Sequence, residues 1–122
     1  VERNVEGVRD AVRNAQINGL ADTAEFIARD ATEYMREAAD AHMHVDVVVW
    51  ILRGRVDAGF IEAAAALAPR RIVYISCNPV THVRDLAVLG ENGYRVERLT
   101  PVDLFPHTSH TEMVATLTRA HI

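Results

Sequence analysis

Cysteine is nearly absent from this chain: Cys77 stands alone in 122 residues. That excludes an intramolecular disulfide framework, and it excludes a cysteine cluster for zinc or iron–sulfur. Lysine is missing altogether. The 13 basic residues are all Arg and face 17 acidic ones, for a net charge of −4. A free-standing nucleic-acid binder should carry a basic face, so an RNA or DNA partner would need another domain or a local arginine patch. Arginine forks would still suit phosphate contacts. No apolar run approaches membrane-spanning length and no signal-peptide pattern is visible, so a reducing cytoplasm is the expected compartment. Repeats, low-complexity tracts and internal linkers are absent. No Gly-rich strand-to-helix turn of the phosphate or dinucleotide type occurs. The first residue is Val, so a segment of something longer, or processed material, is expected.

Hydrophobic residues make up 49% of the chain, which is a globular composition with enough length for one core. Val5, Val8, Val12 and Ala15 recur at helical spacing before Asn18-Gly19, predicting a helix over 4–18. A short strand is predicted at Ala24 to Ala28 and a charged helix at Ala31 to Ala39. Val45 to Ile51 reads as a buried parallel strand. Phe60, Ile61, Ala64 and Leu67 mark a helix ended by Pro69, and Arg71 to Ser76 the next strand. Asn78 has the character of an N-cap with Pro79 at the first helical position. Val83, Leu86 and Leu89 would form that helix's inner face before Gly93. Tyr94 to Leu99 and Met113 to Leu117 are the last strands. Alternating strands and helices predict an α/β fold with a mainly parallel sheet. The final two strands, with no helix between them, predict an antiparallel edge.

Cys77 falls where an apolar β-branched strand stops and a helix begins. Open α/β sheets bind ligands in the crevice at such strand ends. The helix start would place amide dipoles near the sulfur and favour the thiolate; the plain alternative is a small buried hydrophobe. A second polar cluster, Asp103-Leu104-Phe105-Pro106-His107-Thr108-Ser109-His110-Thr111-Glu112, precedes the last strand. Glu112 could act as a general base or be a solvated carboxylate. His107 and His110 lie three apart but lack a third ligand, so no metal site is assigned. Cys77 paired with His82, His107 or His110 would suit a hydrolase, without an identifiable third member. Glu2 and Asp30, each near a strand end, could bind ribose hydroxyls or an adenine amine, or be simple surface charge.

The order Ser76-Cys77-Asn78-Pro79, Thr81, Arg84-Asp85-Leu86, Gly93-Tyr94, Asp103-Leu104-Phe105-Pro106-His107-Thr108 and His110-Thr111-Glu112 closely resembles the C-terminal part of the RNA 5-methyluridine methyltransferases. Upstream, Val1-Glu2, Asn14-Ala15, Asn18-Gly19-Leu20 and Asp30 follow in the matching order. The resemblance covers essentially all 122 residues. It implies a Rossmann-like class I methyltransferase fold, here without its first strand and Gly-rich cofactor loop, and residues 1–122 as the C-terminal part of a catalytic domain. It implies S-adenosylmethionine as cofactor and a uridine of tRNA or ribosomal RNA as substrate. By the same resemblance Cys77 would attack uracil C6, Glu112 would remove the C5 proton, and Glu2 and Asp30 would hold the cofactor's ribose and adenine. Asn78, Arg84 and His110 would support the substrate site.

One departure is specific. The family carries Asp-Pro-Pro-Arg, or a close variant, where this chain has Ile51-Leu52-Arg53-Gly54. A Val-Asp-Pro-Pro-Arg codon run such as GTG GAT CCT CCG CGG, read one base later, yields Trp-Ile-Leu-Arg-Gly, which is what stands at Trp50 to Gly54. A compensated frameshift or sequence error is therefore one explanation. A sheet without its middle strand would expose unpaired backbone and apolar surface, so dimerisation or strand exchange is expected. The alternative function is a non-catalytic α/β interaction module that has lost cofactor binding.

Overall fold

The computed structural model describes residues 1–52, 58–103 and 111–120. Helix α1 (Val5–Ile17) starts at Asn4, whose side chain accepts from the Glu6 and Gly7 amides. It closes at Asn18 and Gly19, the latter at φ 70°, a backbone region glycine enters without a Cβ penalty. Helix α2 (Ala31–Asp40) is capped by Asp30, which accepts from the Glu33 amide. Strand β1 (Val47–Leu52), helix α3 (Ala58–Ala66) and strand β2 (Arg71–Ser76) follow. Helix α4 (Pro79–Glu91) comes next, and strands β3 (Tyr94–Val102) and β4 (Glu112–Arg119) complete the order.

The sheet runs β1-β2-β4-β3. β1 and β2 are parallel, joined through α3, as a parallel pair requires a crossover. β4 enters between β2 and β3 and is antiparallel to both. The expected antiparallel edge is thus present, but among the described residues the sheet is mixed, with one parallel and two antiparallel ladders, rather than mainly parallel.

One face of the sheet is closed. Ile72 and Tyr74 of β2, Ala115 and Leu117 of β4, and Trp50 of β1 pack with Ile61, Ala63 and Ala64 of α3, Leu89 of α4 and Met35 of α2. Alternation along β2, with Ile72, Tyr74 and Ser76 inward, follows from the two-residue period of a strand. Tyr94 satisfies its hydroxyl by donating to the Pro69 carbonyl at 2.6 Å, as a buried phenol must.

Three further expectations are corrected. Ala24 to Ala28 forms no strand; only Ala28 bridges in parallel to Glu2. A lone bridge lacks the flanking ladder that would stabilise an extended segment, and no strand among the described residues lies beside it. The inner face of α4 keeps Leu89, with Leu86 partly buried against the core, but His82 and Asp85 are buried on it whereas Val83 is exposed. The helix is rotated so that polar groups on it meet Tyr74. The predicted apolar face of α1 is also largely open: Val5 and Val12 are exposed, and Ala15 alone is buried. No described element packs over that stripe closely enough to shield it.

Candidate active site

Three hydrogen-bonded features hold Cys77 at the carboxyl end of β2. Ser76, buried at the strand end, accepts from the Asn78 amide at 3.1 Å. Asn78 accepts in turn from the Val80 and Thr81 amides at 3.1 and 3.2 Å, so it is the N-cap of α4. Pro79 follows at the start of the helix, where its missing N–H costs nothing. Between these two tied residues the Cys77 side chain is exposed, so the buried-hydrophobe reading is set aside. An exposed thiol at a helix start can meet a substrate from solvent.

Glu112 opens β4 and is half-buried. The β2–β4 ladder ends at the pair Ser76 and Met113. One residue beyond that pair, Cys77 and Glu112 follow on neighbouring strands, at the same end of the sheet. Cys77 directly follows β2 and Glu112 opens β4, so a thiol and a carboxylate stand at one end of neighbouring strands although 34 residues lie between them in sequence.

His82 is only 2% exposed, and its ring lies 4.5 Å from that of Tyr74. Its Nε2 is enclosed without a hydrogen-bond partner among the described residues. Burial pushes its pKa below the ordinary 6.5, against the opposing pull of Asp85 and of a hydrogen bond with the Tyr74 backbone. The Cys77–His82 hydrolase pair is therefore not formed. His107 and His110 lie outside the described residues, as do Arg53 and Gly54. Arg84 is half-exposed, with Nε 3.9 Å from Asp85.

Glu2 and Asp30 are brought together at the far side of the chain. The Glu2 backbone exchanges hydrogen bonds with Ile27 and Arg29, which sets Asp30 next to it. Asp30 pairs with Arg3 and caps α2. Hydrogen bonds from the Glu33 amide and then Arg3 hold its pKa below the usual carboxylate value. The Glu2 carboxylate accepts from the Asn4 amide and lines a groove of about 610 Å³ with Tyr34, Met35, Val49 and Ile51. A carboxylate on an apolar groove can accept hydrogen bonds from the ribose hydroxyls of a nucleoside, so Glu2 fits. Asp30 is already committed to Arg3 and the helix cap, and fits by its position beside Glu2.

Sequence reasoning missed the buried Tyr74–Asp85 hydrogen bond, 2.6 Å from phenol to carboxylate. The available signal was a polar stripe: His82, Asp85 and Leu89 recur at i, i+3 and i+7, which is one face of a helix.

The fold is that of the Rossmann-like class I methyltransferases that use S-adenosylmethionine. A magnesium protoporphyrin IX methyltransferase from Synechocystis PCC 6803 with that cofactor bound superposes on 97% of this chain and 57% of its own, with a TM-score of 0.66 and 14% identity. The more specific match is to the tRNA (uracil-54, C5)-methyltransferase of Pyrococcus abyssi in complex with S-adenosyl-L-homocysteine. It shares 31% identity and a TM-score of 0.72 over 95% of this chain and 27% of that one. An RNA methyltransferase of Oceanobacillus iheyensis is 42% identical over 93% of this chain. One of Lactobacillus johnsonii is 44% identical over 92%. The tRNA (uracil-5-)-methyltransferase family model matches residues 24–120. The chain belongs to that family, and the family is one of S-adenosylmethionine-dependent enzymes. It spans about a quarter of the two bacterial relatives, 25% of each.

Proposed function

We propose that this chain is the C-terminal catalytic part of an enzyme that methylates uracil C5 in tRNA or ribosomal RNA. The observation that supports the reading is the placement of Cys77 and Glu112 at one end of adjacent strands, each one residue beyond the Ser76–Met113 pair. The Cys77 sulfur adds to uracil C6 and makes C5 nucleophilic, which the unactivated ring is not. S-adenosylmethionine, when bound, supplies the methyl group that C5 takes. Glu112 then removes the C5 proton. The C5=C6 bond re-forms as Cys77 leaves with the electron pair of the C–S bond. An RNA base reaches the thiol only when flipped out of any helix. Asn78 fixes the turn beside the sulfur, and Arg84 and His110 support the RNA. Glu2 holds the ribose of the cofactor and Asp30 the adenine. Compartment and partners follow from the reading: the cytoplasm, an RNA, and self-association through the open sheet.

The test is covalent capture on RNA containing 5-fluorouridine, where fluorine replaces the proton that Glu112 must remove. A denaturation-stable adduct through Cys77 that forms only with S-adenosylmethionine, and is absent in Cys77→Ser, is expected. No adduct with the complete protein would end the proposal.

A second reading has its own observation. Ile51, in the family's Asp position, is 62% exposed at the end of β1. A large apolar side chain there favours a non-catalytic interaction module. Titration separates the two. Cofactor binding that strengthens in Ile51→Asp supports the enzyme, while no binding at millimolar cofactor in either form supports the module.

A further inference from the structure

The buried groups under the Cys77 turn are not used by the chemistry above. Tyr74 is fully enclosed and donates its hydroxyl to Asp85 Oδ2 at 2.6 Å. Asp85 is itself 3% exposed, on the second turn of α4. Ser76, the next inward residue on β2 after Tyr74, accepts from the Asn78 amide. The His82 ring packs on Tyr74 from the same helix. A buried polar chain therefore runs from the helix, through the strand, to both residues that flank Cys77. Burial first, and then the bond to Asp85, hold the phenol well above its ordinary value, so it stays a proton donor.

Such a chain is expensive to leave incomplete, because an enclosed carboxylate without its donor carries the whole desolvation penalty. An apolar residue at 74 with a leucine at 85 would fill this space at lower cost. The polar pair fixes something that packing does not: the rotation and height of α4 against β2. That setting decides where the first amides of α4 lie relative to Cys77.

We infer that Tyr74 and Asp85 form a positioning pair that sets the Cys77 turn against the start of α4. The inference rests on Cys77 as the nucleophile, but its test does not. Native-state hydrogen exchange on this chain reads the turn directly. In Tyr74→Phe and Asp85→Ala the Asn78 amide should exchange at least tenfold faster, beyond whatever change the Leu117 amide shows. Asp85→Asn keeps an acceptor for the phenol and should stay within threefold of the parent. Alkylation of Cys77 by iodoacetamide should slow at least threefold in Tyr74→Phe, because the turn that presents the exposed sulfur at the start of α4 is no longer held in place. Ile61→Val, a change in the same core that leaves the Tyr74–Asp85 hydrogen bond in place, serves as the reference and should leave both readouts within twofold.

If Asn78 and Leu117 lose protection equally in Tyr74→Phe, the pair only stabilises the fold and the inference is wrong. An alkylation rate unchanged in Tyr74→Phe overturns it as well. Failure of the fluorouridine capture with these results intact would remove the catalytic reading of Cys77 and leave the positioning pair standing.

Discussion

The part of the molecule after residue 60 and the part before residue 53 use the same elements and reach different ends. In the later part, Ile72, Tyr74, Leu89, Tyr94, Ala115 and Leu117 are all enclosed. Each buried phenol donates a hydrogen bond. In the earlier part, helices and caps form as cleanly, yet Val5, Ile17, Leu20, Val47, Val49 and Ile51 remain open to solvent. Local signals suffice to build a helix. Closing a core requires a second layer, and among the described residues the outer edge of β1 and the face carrying Val49 and Ile51 have none. Edge strands that stay monomeric usually carry a charge, a proline or a bulge; Val47–Leu52 reads VVVWIL and carries none.

Four measurements would break or sharpen this contrast. Leu117→Ala should lower the unfolding free energy by about 2–5 kcal/mol, read from denaturant midpoints, while Ile17→Ala should change it by less than about 0.5 kcal/mol. Equal losses would erase the distinction. Asn78→Ala should cost about 1 kcal/mol of stability through the lost α4 cap and weaken any capture by Cys77 with it. His82 supplies an acid limb. Because burial keeps its folded pKa below 6.5, the unfolded chain takes up a proton that the folded chain does not. Stability is therefore full above about pH 6.5 and falls as the pH drops below it. His82→Leu should flatten that limb in midpoints measured from pH 7.5 to 5. The smallest effect on stability belongs to Val49→Lys on the open face. It should leave the midpoint unchanged while abolishing any concentration-dependent rise in mass by light scattering. A parent chain that is monomeric at every concentration would show that the open edge recruits no second copy.

Most of the later region was legible in the sequence. Arg71 to Ser76 matches β2 residue for residue, and Asn78-Pro79 announced a capped helix start. Those signals are local: β-branched runs, cap chemistry, a glycine stop. What depended on distant partners was hidden. Ala24 to Ala28 has strand composition but only one bridge, because a strand is stabilised by its neighbours and not by its own residues. The closeness of Cys77 and Glu112 cannot be read from their spacing; it needs the register of β4 on β2. Asp85 stood in the sequence only as part of the Arg84-Asp85-Leu86 motif, and the rotation of α4 turns it toward Tyr74. The resemblance implied the roles of Cys77 and Glu112, and the sheet explains how two distant segments reach the same end of it.

The insertion of β4 between β2 and β3 has a consequence for synthesis. Until Glu112–Arg119 has left the ribosome, β2 and β3 are strangers, and the hairpin partner of neither exists. The link between the β1–β2 pair and β3, and the carboxylate of Glu112, arrive with the same eight residues.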